Sequence, residues 1–311
     1  MKYVLYKAIF HTFLHMPDLF FVYLFRMVFP IYRALHKERA YGRTVKHLAN
    51  AAAADNRLQN TTYHDGISKY SADNVFRGIY WNALDSYRGL ARLPKVTRRI
   101  VFENEDVIQD ALAASRLPNG KPAPIAAISI HQGAFELLHR SLCRYSDNVH
   151  LITDSVGDEA ARRIFKELRS DINLTEYHPE ELSLLLKNLF TEPQKLGKKG
   201  NAILAMVVDQ GRHTKGNQVS LFGQPSTLYL RLPEKVNRMG AGIVTFRTFT
   251  RPGFGQGEIV IRFEKYYPPK YDNSKKESDA SLIESIAKEV ENWIAEHPAE
   301  WSWNYHGNFK V

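Results

Sequence analysis

The sequence predicts an α/β fold in which a mixed β-sheet is flanked by helices and preceded by a helical N-terminal segment. The chain has 311 residues and is 44% hydrophobic and 24% charged, a balance that suits a folded domain with a sizeable core. From about residue 99, short apolar runs alternate with stretches of helical spacing, which is typical of α/β sheets. Residues 1–45 instead combine basic with aromatic side chains. We therefore expect two parts, a segment over 1–45 and an α/β domain over 46–311.

The predicted elements follow from these patterns. Residues 44–115 are expected to be mostly helical. Strands are expected at 99–103, 125–130, 149–153, 202–208, 242–249 and 258–264, and helices at 104–115, 134–145, 157–169, 179–190 and 226–239. The last helix shows the clearest spacing, with one apolar face formed by Leu282, Ile283, Ile286, Ala287, Val290, Trp293 and Ile294. Ser278 or Asp279 can cap this helix, and a polar loop over 268–278 precedes it.

The N-terminal segment is predicted to associate with a membrane. Residues 1–50 contain eight Lys or Arg and two acidic residues beside long aromatic runs. Basic charge next to apolar surface is typical of helices at a membrane interface. A spanning helix needs about 20 consecutive apolar residues, and charged residues and prolines such as Arg26 and Pro30 interrupt each window here. We expect one or two helices over residues 1–35 that lie in or dip into a bilayer.

Other interpretations of this segment differ in their support. A cleavable signal peptide is disfavoured, because no small-residue cleavage site follows the apolar stretch and positive charge continues beyond it. An amphipathic helix that packs on the domain remains an alternative, since buried aromatic stripes are common. Nucleic acid is not an expected partner, because no nucleic-acid-binding motif accompanies the charge.

A candidate general base follows the predicted strand 125–130. His131 comes directly after this apolar run, Gly133 allows a turn, and Glu136 lies in the first turn of the next predicted helix. Open α/β sheets place reactive groups at the carboxyl ends of their strands. A carboxylate that accepts a hydrogen bond from one ring nitrogen of a histidine leaves the other nitrogen free as a base. The pattern predicts an enzyme that deprotonates a hydroxyl, whereas the structural alternative is a capping glutamate and a histidine bonded to backbone.

Two further segments, 207–211 and the apolar run 219–223 that follows it, resemble parts of the same site. Asp209 and Gln210 again follow an apolar strand, at 202–208. Basic side chains cluster nearby, and they could hold phosphates or an acidic carrier protein. They are Arg162, Arg163, Lys166, Arg169, Arg212, His213 and Lys215. For Arg162 and Lys166 a solvated helix face is the favoured interpretation.

Other chemistries lack their motifs. No Gly-x-Ser-x-Gly is present, and the single cysteine, Cys143, falls in a helix-like segment, so a substrate hydroxyl is expected to attack directly. That lone cysteine also excludes an intramolecular disulfide and fits a reducing, cytoplasm-facing location. The run 211–216 lacks the Lys and Ser or Thr of a phosphate-binding loop, and 253–257 has the wrong spacing for a dinucleotide fingerprint. No cofactor and no metal are expected, because His131 and His139 have no further ligand cluster.

Taken together, these motifs resemble those of the bacterial lipid A biosynthesis acyltransferases, within the wider lysophospholipid acyltransferase superfamily. The family's His-x-Gly-Asn-Trp-Glu motif is similar to residues 131–136, which read His-Gln-Gly-Ala-Phe-Glu. Its Asp-Gln and later Phe-Gly are matched by Asp209-Gln210 and Phe222-Gly223. Its tail is similar to His297-Pro298, Trp301-Ser302-Trp303 and Phe309-Lys310. The resemblance covers nearly the whole chain, including a counterpart of the family's inner-membrane anchor.

The resemblance implies a glycerolipid acyltransferase-like fold and a membrane-associated O-acyltransferase. His131 is then the general base and Glu136 its partner, while Arg169, Asp209 and Gln210 orient the acceptor's phosphates or the reacting groups. The acyl donor is a thioester, with an acyl carrier protein favoured over coenzyme A by the net charge of +9. The acceptor is a lipid A precursor or similar glycolipid, and the location is the cytoplasmic face of the inner membrane.

Departures from the motif leave the acceptor open. Ala134 and Phe135 stand where the family has Asn and Trp, and the tail 304–308 is one residue longer and lacks the family's arginine. A glycerolipid or another hydroxylated lipid is therefore an alternative acceptor. In a different class, the chain could be a peripheral membrane protein without catalysis, and side chains of His131, Glu136 and Asp209 lying far apart would favour that alternative.

Overall fold

A computed structural model describes residues 2–58, 72–153, 159–191, 201–210, 215–251, 257–270 and 280–303. The helices in these ranges are α1 Lys2–His15, α2 Asp18–Leu35, α3 Gly42–Ala54, α4 Ala72–Ala91, α5 Leu93–Val96, α6 Glu105–Ala114, α7 Leu138–Leu142, α8 Glu159–Arg169, α9 Leu182–Thr191, α10 Arg231–Arg238 and α11 Ala280–Glu296. The strands are β1 Ile100–Glu103, β2 Ile125–Ser129, β3 Val149–Ile152, β4 Leu174–Tyr177, β5 Ile203–Val207, β6 Asn217–Leu221, β7 Gln224–Leu228, β8 Gly242–Arg251 and β9 Glu258–Tyr267. Short 3₁₀ turns include Phe135–Leu137 and Pro298–Glu300.

The described strands form a mixed sheet, which confirms the predicted fold class. Its order is β1-β9-β8-β2-β5-β3-β4, and β6 and β7 form a separate hairpin. Strands β8, β2, β5, β3 and β4 run parallel to one another, whereas β9 is antiparallel to β8. Because β2 and β5 are central, parallel and covered by helices on both faces, they are apolar apart from Ser129, as the predicted runs required.

The core lies on both faces of this sheet. On one face, side chains of β2, β5 and β8 pack against α3, α4, α10 and α11 together with the tail tryptophans Trp301 and Trp303. On the other, α6 and α7 pack on the alternate side chains of the same strands. The apolar face predicted for the last helix is buried in α11, from Leu282 to Ile294. Helices thus cover both faces of the sheet, and the carboxyl ends of β2 and β5 lie at the same edge.

All six predicted strands are present in the described residues, with every end within three residues of its predicted position, but β4 and the β6–β7 hairpin were not predicted and two predicted helices were wrong in part. Strand β4 was missed, because it is a four-residue edge strand that pairs only with β3 and carries a polar glutamate. Residues 226–228 belong to β7 rather than to a helix, so the helix predicted over 226–239 is confined to α10. The helix predicted over 134–145 begins as a 3₁₀ turn and continues only as α7.

The hairpin explains the Phe222-Gly223 pair noted in the sequence. Both residues have positive φ, 51° and 67°, and they join β6 directly to β7 as a two-residue turn. Phenylalanine rarely adopts this conformation. Here the Phe222 side chain is buried and stacks on Trp303, and its backbone N–H donates to Glu291 Oε2 at 2.5 Å. The motif thus fixes a turn against the tail.

At the N-terminal end, α1 and α2 are held at a sharp bend. Among the described residues no single helix is long and apolar enough to cross a membrane, and the pair Tyr6–His15 and Asp18–Leu35, bent by 112°, passes that test only when taken together. Arg88 of α4 is buried at the bend, where it donates to the carbonyls of Phe13 and Met16 at 3.0 and 2.7 Å. These carbonyls lie at or just after the end of α1, where backbone acceptors lack the partners they have inside a helix.

Both helices are also anchored on the α/β domain. Asp18, the first residue of α2, forms ion pairs with Arg88, Arg92 and Lys95 at 2.8, 2.6 and 2.5 Å, and these three bonds, acting against burial, hold the pKa of the Asp18 carboxyl well below its ordinary range. Helix α1 packs on α8, because Tyr3 and Lys7 both bind the carboxylate of Glu167, at 2.6 and 2.7 Å. The N-terminal segment therefore lies beside α8, which also carries Arg169.

Candidate active site

The site begins where β2 and β5 end. Ser129 of β2 lies opposite Val207 of β5 in parallel register, and the backbone N–H of Val208 donates to the Ser129 carbonyl at 2.8 Å. Two residues beyond each of these positions stand His131 and Asp209. Since neighbouring parallel strands end at the same edge of a sheet, their side chains meet there.

His131 and Asp209 form a close hydrogen-bonded pair. The ring Nδ1 of His131 lies 2.7 Å from Asp209 Oδ1, and the His131 backbone N–H donates to both carboxylate oxygens at 3.2 and 3.1 Å. The Asp209 side chain is 1% exposed and that of His131 is 18% exposed. A carboxylate only accepts hydrogen bonds, so Nδ1 carries the proton and Nε2 keeps its lone pair. This is the arrangement of a histidine prepared to act as a base.

The turn after His131 needs glycine at position 133. Gly133 has φ +54°, and a Cβ there would lie 2.6 Å from the carbonyl oxygen of Thr248 and 2.9 Å from Glu300 Oε2. Its N–H donates to the Glu300 carbonyl at 2.9 Å. The ring of Phe135 then packs edge-on against the His131 ring, with centroids 4.8 Å apart. The tight turn thus places an aromatic wall beside the imidazole.

Glu136 lies in the 3₁₀ turn that follows and pairs with Arg169. The Arg169 guanidinium, at the end of α8, donates from Nε and Nη2 to the two Glu136 oxygens at 2.8 and 2.7 Å, a bidentate geometry. Its Nη1 lies 3.5 Å from Glu176 of β4. Burial alone would raise the pKa of Glu136, but Arg169 and the hydroxyl of Tyr87 outweigh it and hold that pKa below its ordinary value.

A buried histidine adjoins this ion pair. His139 of α7 is 4% exposed, and burial lowers its pKa to about 4, opposed by the nearby Glu136 carboxylate and reinforced by Arg169. It is therefore neutral near pH 7. Its Nε2 is a buried atom without a hydrogen-bond partner among the described residues. Around Glu136 the charges are thus fixed, with one carboxylate and one guanidinium facing each other.

The structure brings the predicted residues together but pairs them differently. Glu136 was expected on the ring of His131, and Asp209 occupies that position instead, because the β2–β5 register places Asp209 opposite His131. Arg169 was expected to orient an acceptor together with Asp209, and it contacts Glu136. Gln210 follows Asp209 and is partly exposed. Roles in substrate binding for Arg169, Asp209 and Gln210 remain predictions.

Several of the basic residues noted in the sequence have no part in this geometry. Arg162 and Lys166 are exposed on α8, as expected of a solvated helix face. Arg212 and His213 lie outside the described residues, as do the tail 304–308, the basic end Phe309-Lys310, the run 253–256 and the candidate caps Ser278 and Asp279. Within the described ranges no group of three or more His, Cys, Asp or Glu side chains could hold a metal ion.

The contacts made by the tail were not predicted from the sequence. Trp301 donates from its indole Nε1 to Asp209 Oδ2 at 3.0 Å, and Ser302 Oγ donates to the His131 carbonyl at 3.2 Å. A buried indole N–H nearly always has a hydrogen-bond partner. The sequence could therefore have indicated that Trp301 or Trp303 binds a polar group in the site, but not which group.

Comparison with known proteins gives one family. The model of the bacterial lipid A biosynthesis acyltransferases matches residues 91–310, which covers the sheet, His131, Glu136, Arg169, Asp209 and the tail. The match starts at the last residue of α4, so α1 and α2 lie outside it. No curated protein gives a significant match to the chain.

Proposed function

The chain belongs to the bacterial lipid A biosynthesis acyltransferase family, and from this membership and the geometry at the ends of β2 and β5 we propose which residues carry out the transfer. The enzyme is an acyltransferase that acts on a lipid-like acceptor. In the proposal, a fatty acyl chain moves from the thioester of an acyl carrier protein to a hydroxyl of a lipid A precursor or similar glycolipid. His131 is the general base, and Asp209 replaces Glu136 as the partner that orients its ring.

The observation that supports this assignment is the 2.7 Å contact between His131 Nδ1 and Asp209 Oδ1. With the proton on Nδ1, Nε2 accepts the proton of the acceptor hydroxyl as its oxygen attacks the thioester carbonyl carbon. The new C–O bond forms, the C–S bond breaks, and the departing thiolate takes the proton back from Nε2. Asp209 stabilises the imidazolium that exists between these two proton transfers.

Glu136 takes a positional role in this proposal. Its bidentate pair with Arg169 joins the turn after His131 to the end of α8, and both partners stay ionised because each favours the charge of the other. The pKa of Arg169 is raised above its ordinary value, since Glu136 outweighs the opposing effect of burial. The pair therefore fixes the base without exchanging protons near neutral pH.

We further propose that α2 lies at a membrane surface, so that the acceptor is delivered beside α8. One face of α2 packs on α4 through Phe21, Phe25 and Phe29, whereas its opposite face is apolar and exposed. That second face, here the α2 stripe, consists of Leu19, Phe20, Tyr23, Met27, Ile31 and Leu35, each between 59% and 77% exposed. An exposed apolar stripe flanked by the exposed bases Arg26, Lys37 and Arg39 suits the boundary between headgroups and acyl chains.

Lipid analysis of a deletion strain tests the reaction. Complementation with the wild-type chain is expected to restore one acylated species, and His131→Ala is expected to leave that species missing, although the variant protein is present at wild-type level. His178→Ala, a partly exposed histidine remote from β2, serves as the control and should restore the lipid. Restoration by His131→Ala contradicts the proposal. If a glycerolipid rather than a glycolipid loses its chain, the acceptor is the alternative one.

Flotation with vesicles of anionic phospholipid tests the membrane surface. Met27→Asp places a charge in the α2 stripe and is expected to lower the floated fraction at least about tenfold, because burying such a side chain contributes roughly 2 kcal/mol. Met239→Asp is the control, since Met239 is also exposed but follows α10 and does not belong to the α2 stripe. Equal flotation of the two variants contradicts the surface assigned to α2.

A further inference from the structure

The tail of the chain contributes a side chain to the carboxylate that orients His131. Trp301 is 2% exposed and directs its indole Nε1–H at Asp209 Oδ2, 3.0 Å away. The two oxygens of Asp209 are thereby divided, with Oδ1 bound by the His131 ring and Oδ2 by the indole. A donor on Oδ2 fixes the rotation of the carboxylate, so that Oδ1 stays aligned with Nδ1.

Trp301 is itself held by the residue next to His131. Gln132 and Trp301 form an antiparallel bridge, and the Gln132 side chain donates to the carbonyl of Trp293 in α11 at 2.8 Å. The ring of Trp301 packs edge-on against Trp303, with centroids 4.9 Å apart. The indole therefore has little freedom to leave the carboxylate.

We propose that Trp301 is a positioning residue of the acyl-transfer site, which acts through Asp209 to keep the carboxylate ionised and aligned with His131. The inference rests on the proposed function of the His131–Asp209 pair. It adds to that pair a residue that is distant from both in the sequence. A hydrogen bond donated to a carboxylate favours its charged form. Bonds to charged groups are also stronger than bonds between neutral groups.

Trp301→Phe removes the donor and keeps an aromatic ring. We expect kcat to fall roughly tenfold to a hundredfold, with KM for the lipid acceptor changed less than about twofold, since Trp301 acts on the base rather than on substrate binding. Because the ionised carboxylate becomes less favourable, the acidic limb of the kcat/KM profile is expected to move to higher pH. The shift of this limb is a readout that a loss of packing alone does not produce.

Trp303→Phe is the matched control. Trp303 is as buried as Trp301 and lies two residues away, but its indole donates to the backbone carbonyl of Pro298 at 2.7 Å. This substitution is expected to lower the melting temperature about as much as Trp301→Phe, with the acidic limb unmoved. If the two variants have the same pH profile, Trp301 only fills space and the inference is overturned.

A double variant shows whether Trp301 acts through Asp209. In an Asp209→Asn background the indole has no carboxylate to align, so adding Trp301→Phe is expected to lower kcat by less than about twofold. A full additional loss overturns the inference. Such a loss does not contradict the proposed function if Asp209→Asn alone is inactive. Wild-type turnover by His131→Ala, in contrast, overturns the proposed function itself.

Fluorine NMR covers the case in which Trp301→Phe does not fold. In protein labelled with 5-fluorotryptophan, the resonances of Trp81, Trp293 and Trp303 are assigned from their Phe variants, which leaves Trp301 by elimination. Asp209→Asn is expected to move the Trp301 resonance and to leave that of Trp303 in place. An unmoved Trp301 resonance shows that the indole does not hold the carboxylate.

Discussion

Two acid–base pairs, one at His131 and one at Glu136, start five residues apart in the chain, and they are built for different tasks. In the His131–Asp209 pair, the carboxylate binds the ring through Nδ1, and Nε2 keeps its lone pair. In the Glu136–Arg169 pair the carboxylate is buried and bound to the guanidinium through two hydrogen bonds, and both pKa values are displaced away from neutral pH. In the proposed function, the first pair takes a proton from the acceptor hydroxyl and passes it to the leaving thiolate. The second pair holds the turn that carries His131.

Asp209→Asn is the largest expected effect and falls on the first pair. The amide NH₂ can donate to Nδ1, which favours the tautomer with the proton on Nε2, where the base must be free. We expect kcat to fall by roughly 10² to 10⁴, with the melting temperature little changed. Steady-state kinetics with a purified acyl thioester and lipid acceptor measure this loss. Asp171→Asn, which removes one charge from the ion pair with Arg140, is the control and should stay active.

Arg169→Met tests the second pair. It leaves the Glu136 carboxylate buried without its partner, which costs about 3 to 5 kcal/mol of the free energy of unfolding, as measured by urea denaturation. Glu136→Leu combined with Arg169→Met removes both charges and is expected to recover most of that stability.

The activity of this double variant sharpens the comparison. If the pair only holds the turn, the refolded double variant should keep kcat within about tenfold of wild type. A loss as large as that of Asp209→Asn instead shows that Glu136 or Arg169 acts on the reacting groups, as the family motif implied.

The sequence was sufficient to predict where the site lies but not how its groups pair. His131 and Asp209 each follow a run that is apolar enough to be a central strand, so both were placed at strand ends. Their contact depends on β2 and β5 being neighbours in parallel register, and no local sequence pattern shows which strands are neighbours. Glu136 was chosen as the partner of His131 because it is close in the chain. The rigid turn at Gly133 instead directs it toward α8.

The parts of the fold that were missed share one cause. Strand β4 and the β6–β7 hairpin are short and carry polar side chains, so their sequences show little of the hydrophobic pattern that burial produces. Their structure depends instead on pairing with neighbouring strands. The central strands β2 and β5, which bury nearly all of their side chains, were predicted to within one residue at each end, and the buried face of α11 was predicted as well. Trp301 was noted only as part of a motif, because a contact from residue 301 to residue 209 is set by the whole core.

His139, which adjoins the Glu136–Arg169 pair, makes the stability of the fold depend on pH. Burial holds the pKa of His139 at about 4, whereas in the unfolded chain it returns to its ordinary value of 6.5. Between these pH values the unfolded chain binds the extra proton, so stability falls as pH falls from 6.5 to 4. The loss amounts to roughly 3 kcal/mol.

Urea denaturation across this range checks the assignment. His139→Leu is expected to flatten the decline between pH 6.5 and 4.5, whereas His178→Leu, at a partly exposed histidine, should leave it unchanged. Below about pH 4.5 a decline persists in both variants, because the lowered pKa of Glu136 contributes stability that is lost as its carboxylate takes up a proton. An unchanged curve for His139→Leu would show that another group titrates in this range.

The smallest expected effect is that of Ser302→Ala, which distinguishes the contact of the tail with the His131 backbone from its contact with Asp209. Ser302 Oγ donates to the His131 carbonyl, so Ser302→Ala removes one neutral hydrogen bond to the backbone and leaves the ring and Asp209 in place. We expect a loss of about 1 kcal/mol in unfolding free energy and a kcat within about threefold of wild type. A large fall in kcat would mean that the backbone of His131, rather than its pair with Asp209, limits the alignment of the base. Wild-type turnover by Ser302→Ala shows that side chains align the base. The different effects of substituting Asp209, Arg169 and Ser302 then follow from which atoms each of these residues binds.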